Sequence, residues 1–203
     1  MSNINLPLDI SSLEITAQST DTEGNLILDV VSKNRSSVCH KCGKAATKPN
    51  GVAPSRLIRH LPILDKPVYL RIKPIRYSCE HCDDSTTTTE QYDWCDRNAS
   101  TTKGLEDYIM RCVINSTIED VAKKEKIGAK VIQGILNRRV TTEVNWGSVK
   151  ATHTIGIDEI STRKGHQSYV TIISANTGKN SSPIVIAVIS GRSKEDVKSF
   201  LES

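Results

Sequence analysis

Two cysteine pairs carry the clearest chemistry in this chain: Cys39-His40-Lys41-Cys42 and Cys79-Glu80-His81-Cys82, with thirty-six residues between them. A C-x-x-C turn aims both sulfurs at one point, and two such turns supply the four thiolates that tetrahedral Zn²⁺ takes. Gly43 follows the first pair, where the tight turn of a knuckle suits glycine. The thioredoxin-like alternative needs a single C-x-x-C opening a helix in a βαβ unit, and that pattern is absent. His40 or His81 could replace a sulfur, and four free buried thiols is the bland alternative. A shell of four protein ligands is closed, so the metal would be structural and would leave no open position for catalysis. Cys95 and Cys112 have no partner knuckle, and Cys112 falls on an apolar helix stripe, where it reads as core packing.

A second constellation lies at 118–139. Ala122, Ile127, Ile132 and Ile135 have the spacing of a helix-turn-helix, which needs a small residue where the helices cross and an apolar residue in the turn. The glycine common at the start of that turn is here Lys126, with Gly128 two residues on. The last helix would leave Ala129, Lys130, Gln133, Asn137, Arg138 and Arg139 to solvent, types that read base edges and phosphates. A generic three-helix bundle with a solvated polar face fits the same segment.

The elements that must position these residues follow from periodicity. Residues 11–33 read as a hairpin around Asp21-Thr22-Glu23-Gly24. Pro67–Tyr77 alternates apolar and basic residues, and its prolines predict an edge strand. Residues 83–102 are polar and read as a linker. Leu105, Tyr108, Ile109, Cys112 and Val113 form one helical stripe, Asn115-Ser116-Thr117 ends it, and Ser116 with Glu119 suggests a capping box for a second helix closing near Glu125. A third helix is expected over 129–139 with Val131, Ile132, Ile135 and Leu136 inside. Beyond residue 150 the period returns to two, with strands at 152–158, 168–174 and 184–189, then a helix start at Ser193.

The chain has 203 residues, 27 basic and 23 acidic, a net charge of +4, 37% apolar and 4% aromatic residues. So lean a core suits small modules, one of them held by more than apolar burial. Basic residues outnumber acidic ones in 39–102 and 103–150, while 1–38 is acidic. No apolar run approaches the roughly 20 residues that span a bilayer. No basic segment followed by an apolar stretch opens the chain, so a cytoplasmic protein with thiols or a metal, not disulfides, is expected. The expected fold class is α+β and multi-module: a β-rich zinc-binding domain (1–95), a three-helix helix-turn-helix domain (96–145), and a third part of three strands and the start of a helix (150–203).

The order of motifs, CxxCG, RLIRHLPILDKPVYLRIKPIRYSCEHC, a WCD-containing segment, a helix-turn-helix and finally IGIDEISTRKGHQSYVTII, resembles the ISL3 family of bacterial insertion-sequence transposases from about residue 37 to the end. The resemblance implies a zinc-binding domain and helix-turn-helix that recognise the element's terminal repeats in double-stranded DNA. It also implies an RNase H-like DDE domain in which three carboxylates hold two divalent ions such as Mg²⁺. Asp158 matches the first carboxylate; Glu159 takes no catalytic role; Glu195, Asp196 and Glu202 are not placed to supply the others. One carboxylate cannot hold two hard cations, so Mg²⁺ is expected only in a full-length relative. The expectation is a C-terminally truncated transposase that binds DNA in the bacterial nucleoid, without a membrane, and is able to self-associate through its partial sheet. The alternatives are a co-opted repressor of the parent element and an active transposase that borrows carboxylates from a second chain.

Overall fold

A computed structural model describes residues 8–82, 86–140, 149, 152–161, 169–176, 178 and 182–202. The chain divides into two compact units, residues 1–139 and 140–203. The α+β, modular class expected from sequence is what the structure shows.

In the first unit the 11–33 hairpin forms: β1 (Leu13–Thr20) pairs antiparallel with β2 (Leu26–Ser32). Its turn is held by the Asp21 carboxylate, which accepts from the backbone N–H of Glu23 and Asn25 and from the Asn25 side chain. The chain then runs through β3 (Ser37–Val38), β4 (Ala45–Ala46) and β5 (Lys48–Val52) to β6 (Arg56–Ile63), β7 (Lys66–Ile72), β8 (Ile75–Ser78) and β9 (Thr87–Thr89). A four-stranded sheet is ordered β1-β2-β7-β6, a three-stranded one β5-β8-β9, and β3-β4 is a small ribbon. One face of the larger sheet buries Leu28, Ile58, Val68, Leu70 and Ile72. Each such aliphatic side chain contributes about 1.5–3 kcal/mol of burial.

Two expectations fail here. The Pro67–Tyr77 stretch is not an edge strand: β7 is central, parallel to β2 and antiparallel to β6, and β8 is central in its own sheet. The prolines are tolerated because Pro67 faces the register irregularity between His60 and Ile63, and Pro74 falls between β7 and β8. Nor is 83–102 a bare linker. β9 pairs with β8, and the stacked rings of Tyr92 and Trp94 join Cys95 in the main core. Residues 100–102 then bridge to β6, where the Arg59 N–H donates to Ser100 O and the Thr102 N–H to Arg59 O.

Three helices follow: α1 (Lys103–Cys112), α2 (Ile118–Glu125) and α3 (Ala129–Arg139). They enclose Leu105, Ile109, Val121, Ile127, Ile132 and Ile135, with Tyr108, Cys112, Val113, Ala122, Val131 and Leu136 around them, as the stripes predict. The cap of α2 lies one residue later than expected. Thr117 accepts from the Asp120 N–H, because this register sets Val121 into the core. Lys126 takes the left-handed conformation at the end of α2, φ 52° and ψ 46°, the place where glycine is ordinarily found.

The second unit is an antiparallel sheet of β10 (Thr154–Ser161), β11 (Tyr169–Asn176) and β12 (Ile184–Ser190), then α4 (Lys194–Leu201). Central β11 buries Thr171, Ile173 and Ala175. Ser193 and Asp196 close a capping box at α4, and Gly191 at φ 96° leaves no room for a side chain against the Asp196 carboxylate.

Candidate metal centre and nucleic-acid interface

The first knuckle turns after β3. Gly43, at φ 72°, donates its N–H to Cys39 O, and the Cys39 N–H returns to Lys44 O, which closes the loop around both sulfurs. The second turns after β8, where the Cys79 N–H donates to Thr86 O. The β5-β8-β9 sheet ties the two turns together across the sequence, with Tyr77 and Ala46 buried beneath.

All four sulfurs lie within 4.8 Å of one another. Cys39 Sγ is 3.9 Å from Cys82 Sγ, and Cys42 Sγ is 3.6 Å from Cys79 Sγ. Four sulfurs at Zn–S distances of about 2.3 Å define a tetrahedron with edges of about 3.8 Å, so the spacing fits the ion. No sulfur is in a disulfide. His40 is not a ligand: its Nδ1 lies 3.0 Å from Thr88 Oγ1, and the cluster consists of cysteines among the described residues.

The electrostatics point the same way. The backbone N–H groups of Cys42 and Lys41 hold the Cys39 thiol down at about 6. Burial, and then the neighbouring sulfurs, push Cys82 up to about 12. Four thiolates in so small a volume repel one another, and a divalent cation is the counter-charge that lets all four ionise. Zinc held there would supply that charge and tie the turn after β3 to the turn after β8. Cys39, Cys42, Cys79 and Cys82 would hold it, and none of the four positions is left for a substrate.

Of the residues assigned from sequence to DNA, Lys130, Gln133 and Asn137 form one exposed stripe on α3, at i, i+3 and i+7. Gln133 Nε2 donates to Asn137 Oδ1 at 2.9 Å, so the two amides are aligned side by side. Arg138 and Arg139 turn instead to α1. Arg138 Nη2 donates to Glu106 Oε1 at 2.6 Å, and Arg139 pairs with Asp107. Glu106 is only 1% exposed and also accepts from the Thr101 hydroxyl at 2.7 Å.

Sequence reasoning missed a set of buried polar residues that fix the helices to the sheet. Arg59, on β6, lies over the Tyr69 ring and donates to Glu125 O, the last carbonyl of α2. His60 Nδ1 meets the hydroxyl of Thr102, which caps α1. Two adjacent polar residues, Arg59 and His60, set between Ile58 and Leu61 are the signal that could have found them.

Asp158 lies in the middle of β10, not at its end as expected, because the strand continues to Ser161. It is exposed, opposite Ile172, and accepts from the Glu159 N–H. Strand alternation sends Glu159 to the other face. Among the described residues, the four cysteines are the one group able to hold a metal. No described helix is long and apolar enough to cross a membrane.

Three family models match the chain in succession. The zinc-finger of transposase IS204/IS1001/IS1096/IS1165 matches residues 35–82. The helix-turn-helix domain of transposase family ISL3 matches 90–140. The ISL3 transposase (DDE) model matches 155–203. No match is found among curated proteins or solved structures. With zinc finger, helix-turn-helix and transposase segments all present in that order, the chain belongs to the ISL3 family of transposases.

Proposed function

We propose that this chain binds duplex DNA at the terminal repeats of its insertion sequence and carries out no strand cleavage itself. The observation that carries the reading is the α3 stripe: Lys130 suits a phosphate, while the paired amides of Gln133 and Asn137 offer the bidentate donor and acceptor that reads adenine in the major groove. Structural zinc keeps the β-rich part folded, the buried Arg59 contact holds the helices on it, and the Glu106–Arg138 pair joins α1 to α3. Labour divides along the chain, with residues 1–95 as the zinc-binding part, 96–145 as the reader and 150–203 as the transposase part. The cytoplasm, on the nucleoid, is the compartment that suits such a protein. Exposed Ile155, Ile157, Val185 and Val188 on the second unit's sheet favour self-association there.

Asp158 corresponds to the first carboxylate of the family's two-metal site, where such ions activate water and the attacking hydroxyl. Among the described residues Asp158 belongs to no metal-holding group, and a protein that occupies element ends without cutting them would repress the parent element. The experiment is selection from a randomised duplex library followed by footprinting at the element's ends, with Mg²⁺ present. Protection of the terminal repeats without nicking is expected, and Asp158→Ala should leave affinity unchanged. Selection that enriches no sequence would refute the terminal-repeat reading, and cleavage abolished by Asp158→Ala would refute the lack of catalysis.

A further inference from the structure

We infer that the open face of the four-stranded sheet is a second DNA contact, a phosphate-binding groove built from Lys33, Arg35 and Lys73. The inference rests on the DNA-binding reading above and adds a surface that lies outside the helix-turn-helix.

The groove has a volume of about 880 Å³ and runs over β1, β2 and β7, with Glu14, Asp29, Val31, Lys33, Arg35 and Lys73 among its lining. Its charges come from two separate stretches of chain: Lys33 and Arg35 in the loop after β2, and Lys73 between β7 and β8. The acids on its walls are mostly engaged elsewhere, although Asp29 also feels the charge of Lys73. Asp29 is taken by Arg71, whose Nε and Nη2 reach its two oxygens at 2.5 and 2.7 Å. Glu90 is buried and accepts from the Ile75 N–H and the Tyr92 hydroxyl. Glu14 remains as the exposed acid against three exposed cations.

The register shows which way this groove faces. Arg71 pairs with Asp29 on one side and Leu57 on the other, and Arg59 pairs with Tyr69. Strand alternation therefore puts Arg59, Tyr69, Arg71, Asp29 and Val31 on one face. Arg59 is the residue on which α2 ends. The helix-turn-helix thus meets the β6 side of the face that carries the groove at its β1-β2 side. A duplex is a continuous polyanion that extends past the few base pairs one helix reads. Long, exposed cations on loops, without paired amides beside them, match phosphates and not base edges.

The test is the salt dependence of binding by the full chain, measured by fluorescence anisotropy on a mixed-sequence duplex and on the duplex enriched by selection. The variant Lys33→Gln/Arg35→Gln/Lys73→Gln is compared with Lys130→Gln/Gln133→Ala/Asn137→Ala, both checked for zinc content and melting temperature. The groove variant should lower the slope of log K against log salt by about 2.7, about 0.9 per cation, and weaken both duplexes by the same factor. The α3 variant should lower the slope by about 0.9, the share of Lys130, and narrow the gap between the two duplexes. An unchanged slope in the folded groove variant, with the α3 variant impaired, overturns the groove and leaves the DNA-binding reading standing. Failure of the unmodified chain to bind either duplex overturns that reading itself.

Discussion

Arg138 is the residue at which the DNA reading and the folded structure make opposite demands, and Arg138→Ala separates them. Its partner Glu106 is 1% exposed, and the Oε1 that accepts the Arg138 Nη2 at 2.6 Å accepts otherwise, among the described residues, only the Thr101 hydroxyl. Glu106 Oε2 is buried with no partner among the described residues. Removing one member of a buried pair costs about 3–5 kcal/mol, since the other charge is left in a poor solvent. The Arg138 side chain is 43% exposed, so water reaches one end of the pair and screens it. We therefore expect a loss of about 2 kcal/mol, which for a unit of this size lowers the melting temperature by about 7 °C. Arg138→Ala/Glu106→Leu should recover most of that loss, because an apolar side chain of similar volume removes the orphaned charge. The assay is thermal unfolding of the zinc-loaded chain followed by circular dichroism, with DNA affinity measured in parallel. An Arg138→Ala variant that melts with the parent but binds DNA much more weakly would refute the argument, and would return Arg138 to the DNA surface.

Zinc removal is the second expectation: Cys79→Ser should lose the metal and the β-rich fold, while Cys112→Ser keeps one zinc per chain, both read by elemental analysis and circular dichroism. Lys126→Gly should stabilise the chain by about 1 kcal/mol in urea unfolding, since a left-handed residue with a side chain carries a penalty of that size. The His60 imidazole is pushed below its usual 6.5 by burial, so the folded state resists its protonation. Its contribution is complete above the unfolded value and is lost as pH falls through 6.5 toward the folded one. Stability should drop between pH 7 and 5, and less so in His60→Gln; equal pH profiles for the two would refute this.

Local chemistry made a large part of this protein readable without coordinates. Cys39, Cys42, Cys79 and Cys82 declare a metal because ligand type and turn spacing are local properties. The stripe from Leu105 to Val113 and the spacing of Ile127, Ile132 and Ile135 declare helices packed on one another because helical period is local too. The order of motifs was enough to place the chain beside the ISL3 transposases. What tertiary structure decided were pairings between residues far apart in sequence. The prolines near β7 suggested an edge, yet β2 pairs with β7 in parallel across residues 33–65, which hold the first cysteine knuckle, a partnership no local pattern encodes. Polar 83–102 read as a linker until β8 and the core claimed Thr88, Tyr92, Trp94 and Cys95. Arg138 and Arg139 had the composition of a DNA contact, and periodicity could put them on the outside of α3. Whether a guanidinium there meets phosphate or a carboxylate depends on what stands across from it, and Glu106 and Asp107 are brought opposite only when α1 folds against α3. A side chain's type is set by its codon, but its partner is set by the path of the whole chain.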